Sequence, residues 1–263
     1  MPQLFQVDAF TRQPFAGNPA AVCLLEQPAS EAWMQQVAAE MNLAETAFVQ
    51  ETGIGRFHLR WFTPTVEVEL CGHATLATSH VLWQSGRVPA EHPCVYDTLS
   101  GQLTATRQGE LIELDFPAAP TQAQQPPSEL SEGLGVTPVF SGLSTWDWLV
   151  ELESAAAVRG IRPDFEQLHA LGVRGVIVTA ADESAQFDFV SRFFAPGAGI
   201  DEDPVTGSAH CALGPYWQGK TGKREFSAFQ ASSRGGHLQL VVKGDRVLLR
   251  GQAVTVFNGQ LVV

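Results

Sequence analysis

Along residues 68–83, "VELCGHATLATSHVLW", an extended run gives way at Gly72 to apolar residues at Leu76, Ala77, Val81 and Leu82. That spacing is one face of a helix. The pattern predicts a helix starting near Gly72, and "GSAHCALG" predicts another starting near Gly207. Runs rich in β-branched and aromatic residues, "ETAFVQ" and "GVIVTAA", read as strands, and "QLTATR-QG-ELIELDF" alternates around a Gly turn as a hairpin does. "SEAWMQQVAAEMN" has a Ser cap followed by an acid, and "RPDFEQLHALG" ends in Gly, so each predicts a further helix. "GLSTWDWLVELESAAAVRGIRP" supplies the first strand of the second half.

These elements recur. "RWFTP" at 60–64 returns as "RFFAP" at 192–196, "GHATLA" at 72–77 as "GSAHCA" at 207–212, and "GQLTATRQGELIEL" at 101–114 as "GHLQLVVKGDRVLL" at 236–249. Gly72, Gly101 and Gly109 recur at Gly207, Gly236 and Gly244 with one common offset. Arg60 recurs at Arg192 with an offset three residues shorter, so the second copy has a three-residue insertion before its helix. Such register over tens of residues marks an internal duplication. The chain is expected to be an α/β protein of two pseudo-symmetric lobes. Their boundaries are 1–118, with a terminal strand 252–263 able to return to it, and 119–263. The Pro- and Gln-rich stretch 117–130 reads as the linker. With a pseudo-two-fold axis between the lobes, both helix starts would face one cleft. Two helix N-termini with glycines suit a carboxylate or phosphate.

Composition narrows the class. A chain of 263 residues, 44% hydrophobic and 17% charged, is globular rather than disordered. Its net charge of −12 offers no basic surface for a nucleic acid, although a local site can still take a small acid. "MPQLFQVDAF" has no signal-peptide pattern, and no apolar run approaches the roughly 18 residues of a membrane span. Cys23, Cys71, Cys94 and Cys211 form no C-x-x-C pair. A cytoplasmic protein with reduced thiols is expected.

Differences between the copies carry the candidate chemistry. Cys71 and His73 flank the first helix-start glycine, whereas Thr206 and Ser208 flank the second. The acidic "IDEDPVTGS" stands before the second helix, and Glu45 precedes "TAFVQ" with only Arg174 or Gly175 as its counterpart. Glu45 is thus a single unmatched carboxylate suited to general acid/base work. His73 can donate or accept beside a substrate, while Asp203 and Ser208 supply an acid and a hydroxyl. Plainer roles exist for each. Glu45 can be an exposed acid at a strand edge, Asp201, Glu202 and Asp203 can complement a helix dipole, and Ser208 can be a first-turn residue. Cys71, His73, His210 and Cys211 match no usual zinc spacing, so no metal is expected. "GxSxG", Walker and "GxGxxG" patterns are absent.

The set "VDAFT…F-x-GNPAAV", "NLAETAFV", "RWFTP…ELCGHATLA", "EDPVTGSAHCALGPYW" and "QASSRGG" resembles the PhzF-like isomerases of phenazine biosynthesis, which share the diaminopimelate epimerase-like fold. The resemblance spans residues 7–236. It implies two lobes, each a curved, mostly antiparallel sheet around a central helix, with no cofactor and a homodimeric assembly. It implies Glu45 as the proton-shuttling acid/base, with His73 and Asp203 holding and polarising the substrate. Gly72, Gly207 and Ser208 would bind a small carboxylate substrate such as a dihydro-hydroxyanthranilate. In the epimerase relatives two cysteines precede the helix-start glycines. Here they are Cys71 and Thr206, so a two-thiol mechanism is not available and Cys71 is expected to pack. A one-base epimerase or tautomerase using Glu45 with Cys71 remains open, as does a non-catalytic small-acid-binding protein.

Overall fold

A computed structural model describes residues 1–263. The chain forms two compact units, Met1–Asp115 with Arg250–Val263, and Phe116–Leu249. None of its helices is long and apolar enough to cross a membrane.

In the first unit the elements run β1 (Gln3–Ala9), β2 (Asn18–Leu25), α1 (Glu31–Met41), β3 (Glu45–Gly53), β4 (Arg56–Phe62), β5 (Glu67–Val68), α2 (Gly72–Gln84), β6 (Cys94–Thr98), β7 (Gly101–Gln108) and β8 (Leu111–Pro117). β1 pairs antiparallel with β2, β2 parallel with β3, and β3 antiparallel with β4. β4 pairs parallel with β6, and β6 and β7 then continue antiparallel into β8. α2 packs against β1, β2, β3 and β7. The ordinary one-sided reading of this helix is too narrow, because every residue from His73 to Ser79 is buried. Its hydroxyls make that possible. Thr75, Thr78 and Ser79 each donate to the carbonyl four residues back, at 2.5, 2.7 and 2.8 Å, and Ser79 also meets Tyr96 Oη at 2.7 Å. A satisfied hydroxyl enters an apolar interior at little cost.

The second unit contains β9 (Gln122–Ala123), α3 (Ser128–Leu134), β10 (Phe140–Leu143), β11 (Asp147–Glu151), α4 (Ala155–Gly160), α5 (Phe165–His169), β12 (Gly175–Ala181), β13 (Phe189–Ala195), β14 (Ile200–Glu202), α6 (Gly207–Thr221), β15 (Glu225–Gln230) and β16 (Gly236–Lys243). β17 (Arg246–Gly251) follows, and the chain ends in the first unit with β18 (Ala253–Gln260), antiparallel to β1 and packed on α2. The β11–β12 pair is parallel and β12–β13 antiparallel, repeating the arrangement of β2–β3–β4. α6 packs against β11 and β16.

Two details explain features of the sequence. In the repeated "R-aromatic-Phe-x-Pro", Arg60 lies 5.2 Å from the Phe62 ring and grips Glu67 of β5 at 2.6 and 2.7 Å. Arg192 likewise lies 4.7 Å from Phe194 and grips Glu202 of β14 at 2.7 and 2.9 Å. Each bidentate clamp fixes the loop that leads to a helix start. The insertion in the second copy includes a 3-10 turn at Pro196–Ala198.

The Pro- and Gln-rich stretch 117–130 is not a free linker. Pro215 lies inside α6 and has no N–H for the Cys211 carbonyl one turn back. Ala119 donates to that carbonyl at 3.0 Å, and β9 and α3 follow, with Leu130 and Leu134 buried. Leu76, fully buried on α2, tests the central helix. Leu76→Ala should lower unfolding free energy by about 2–5 kcal/mol in urea titration, whereas a loss under about 1 kcal/mol would contradict this placement.

Candidate functional site

The predicted residues fall into two clusters, one in each unit. In the first unit β2 and β3 run parallel with Ala20 opposite Glu45, so the starts of both strands lie side by side. The loop after β1 is held by Asp8, 1% exposed, whose carboxylate accepts the Phe15 N–H at 2.7 Å. It turns into β2 at Gly17, with φ +64°, where a Cβ would lie 2.1 Å from the Ala9 carbonyl oxygen. Only glycine fits this turn, and it delivers the buried Asn18.

His73, in the first turn of α2, is 5% exposed. Its Nδ1 lies 3.2 Å from Asn18 Nδ2 and 3.5 Å from Cys71 Sγ, and its Nε2 lies 3.3 Å from Glu45 Oε2. An amide NH2 can only donate, so Nδ1 accepts and the ring proton sits on Nε2, facing the carboxylate. Burial lowers the imidazole pKa to about 3. The pair is therefore a neutral N–H facing a carboxylate and not an ion pair. Glu45 itself retains access, its side chain being 15% exposed.

Cys71, expected only to pack, is buried but has its sulfur against the imidazole. Glu45, Cys71 and His73 each bring a donor atom within 4.8 Å of the others, a set that could hold a cation. The other residues weighed for zinc turn to their own helix: His210 Nδ1 meets the Thr206 carbonyl at 2.8 Å and the Cys211 thiol points to the Gly207 carbonyl at 3.6 Å.

In the second unit Asp203, Thr206, Gly207 and Ser208 gather at the start of α6. The Asp203 carboxylate accepts from the Thr206 hydroxyl. Gln230, fully buried at the end of β15, accepts the Thr206 N–H at 2.8 Å. Its amide donates to the Asp203 carbonyl at 2.8 Å and to Thr206 Oγ1 at 3.1 Å. Of the acidic run, Glu202 belongs to the Arg192 clamp and Asp201 is exposed, leaving Asp203 at the helix start. Ser208 Oγ accepts from Arg174 Nη1 at 3.0 Å.

The β12–β13 pairing sets Val176 opposite Phe194, as β3–β4 sets Thr46 opposite Phe62. Gly175 is therefore the counterpart of Glu45, which leaves Glu45 unmatched. Asn18 and Gln230 were not recognised from sequence. The available signal for Asn18 was its place after a glycine at a strand start. Gln230 had none, being far along the chain from its partners.

A family model described as "Phenazine biosynthesis-like protein" matches residues 7–259. An uncharacterized isomerase of Halalkalibacterium halodurans is 51% identical over 261 residues, 99% of this chain and 98% of that protein. The crystal structure of a phenazine biosynthesis protein of the PhzF family from Enterococcus faecalis superposes with a TM-score of 0.95 at 42% identity, covering 100% of this chain and 99% of that one. A probable proline racemase from Agrobacterium radiobacter shares the fold, with a TM-score of 0.67 at 11% identity, covering 100% of this chain and 93% of that one. The α/β fold of the epimerase and racemase type is thereby shown.

Burial has a consequence for pH. His73 titrates near 3 and His210 near 4 because burial disfavours their charged forms, and His80 is lowered by burial and by Arg107. In the unfolded chain these groups protonate near pH 6.5, so between those values the unfolded state binds more protons. Stability should fall as pH drops from 6.5 to 5, by up to about 1 kcal/mol per pH unit for each of His73 and His210, with His80 acting in the same direction. Urea midpoints across that interval check this, and a flat profile would contradict it.

Proposed function

The chain belongs to the PhzC–PhzF, phenazine biosynthesis-like family, and on that premise we propose that it is an isomerase moving a proton within a small carboxylated cyclic or unsaturated substrate. The observation that carries the reading is the Glu45 carboxylate facing a buried imidazole held neutral. Glu45 takes a proton from an activated C–H. The electron pair of that bond spreads into the adjoining unsaturated system, and Glu45 returns the proton to another carbon, so atoms and charge balance.

His73 places its Nε2 3.3 Å from the Glu45 carboxylate, as a neutral neighbour rather than a charged one. Its depressed pKa makes it a poor competing acid or base, so it serves as a neutral donor. In the second unit Asp203 supplies an acid, and Ser208 with the Gly207 backbone supplies donors suited to a carboxylate; in the first, the Gly72 backbone offers the same kind of donor, as dipoles at a helix start do. A dihydro-hydroxyanthranilate is the substrate we test first.

A second reading, a one-base epimerase or tautomerase in which Cys71 assists Glu45, draws on the 3.5 Å contact between Cys71 Sγ and His73 Nδ1. Proton NMR in deuterium oxide separates the two. With dihydro-hydroxyanthranilate, wild type should form the isomer with deuterium at the newly protonated carbon, and Glu45→Gln should be slower by about 10²–10⁴-fold. Cys71→Ala should keep most of the activity. Equal loss in Cys71→Ala, with deuterium entering recovered substrate at an inverted centre, would favour the second reading. Full activity in Glu45→Gln would reject both.

A further inference from the structure

In each unit the residue after the helix-start glycine meets a charged side chain at the head of a neighbouring strand. In the first unit His73 faces Glu45, the first residue of β3, at 3.3 Å. In the second, Ser208 faces Arg174, the residue just before β12, at 3.0 Å. The duplicated scaffold carries an anion in one copy and a cation in the other.

Arg174 is unusually well fixed. Its Nε donates to Asp147 Oδ1 at 2.9 Å and its Nη2 to Asp147 Oδ2. Asp147 is 1% exposed at the start of β11. The guanidinium carbon lies 5.2 Å from the Phe193 ring and 5.5 Å from the Trp146 ring. A bidentate carboxylate and two aromatic faces leave the planar fork little freedom. The Nη1 of that fork is aimed at Ser208 Oγ.

A guanidinium has no acceptor, so the Ser208 oxygen must accept this bond. The hydroxyl hydrogen then has to point elsewhere, and the half-buried Ser208 presents it as a donor polarised by a cation. We propose that Arg174, locked by Asp147, is a positioning residue that turns the Ser208 hydroxyl hydrogen away from itself and polarises it, so that this position favours an anionic acceptor, a carboxylate, over a neutral amide or an amine. The inference rests on reading Ser208 as substrate-binding and is independent of how Glu45 moves protons.

The test is calorimetric titration of the full chain with anthranilate and with anthranilamide, its neutral counterpart. Wild type should prefer anthranilate by about tenfold or more, equivalent to about 1.4 kcal/mol. Arg174→Met and Ser208→Ala should each erase that preference, and the double variant should lose no more than either single one, as coupled partners do. Arg174→Lys should restore only part of it, because a lysine cannot hold Asp147 and Ser208 in one plane.

Removing Arg174 leaves the buried Asp147 unpaired, which can impair folding. Ser208→Ala keeps the clamp intact, and Asp147→Asn combined with Arg174→Gln removes both charges together. Either reads the same preference in a folded chain. Glu45→Gln should slow proton transfer by about 10²–10⁴-fold while leaving the preference unchanged, which separates failure of the catalytic reading from failure of this one. A wild type without the preference, or a preference surviving in Ser208→Ala or in Arg174→Met, overturns the proposal.

Discussion

An imidazole buried at the start of a helix that is itself buried is the constraint on which the first unit turns. Were His73 exposed, its proton would be exchangeable with solvent near neutral pH and its role beside Glu45 would change with conditions. Burial lowers its pKa to about 3 and fixes it as neutral. Asn18 then settles which nitrogen carries the proton, and the remaining N–H has Glu45 as its neighbour. The Gly17 turn, the Asp8 anchor and the parallel β2–β3 pairing all serve to bring Asn18 and Glu45 to that ring. A fold detail becomes a chemical one because the interior admits the neutral form at far lower cost than the charged one.

Duplication supplies the second half of the account. Both copies keep the arginine clamp on a short strand and the glycine at the helix start, since these set the backbone. What diverged are the side chains that face the helix start. One copy carries imidazole and carboxylate, and the other carries hydroxyl and guanidinium with Asp203 beside Thr206. Backbone-determining residues were retained, and the chemistry was written on the positions that the backbone does not need.

Much of this was legible along the chain, and the reasons are local. The glycine register and the repeated "R-aromatic-Phe-x-Pro" exposed the duplication, while helix starts followed from Gly72 and Gly207. Comparison of the copies singled out Glu45, and the strand register places only Gly175 opposite it in the other copy. What stayed hidden depends on contacts distant in sequence. The all-round burial of α2 relies on hydroxyls bonding back to their own helix, which periodicity counts as polar positions. The stretch 117–130 has a linker's composition, yet it answers a carbonyl that Pro215 leaves open. Asn18, Gln230 and the link from Arg174 to Ser208 join residues whose adjacency only the fold creates.

The central claim concerns one proton on one ring. Nitrogen-15 NMR of the protein labelled in its histidines, with His73 assigned through His73→Gln, measures it directly. The account predicts a neutral ring with an unprotonated Nδ1 and a protonated Nε2, unchanged from pH 7.5 to 5.5, because its pKa lies near 3. A proton on Nδ1, or an imidazolium forming within that range, would contradict it.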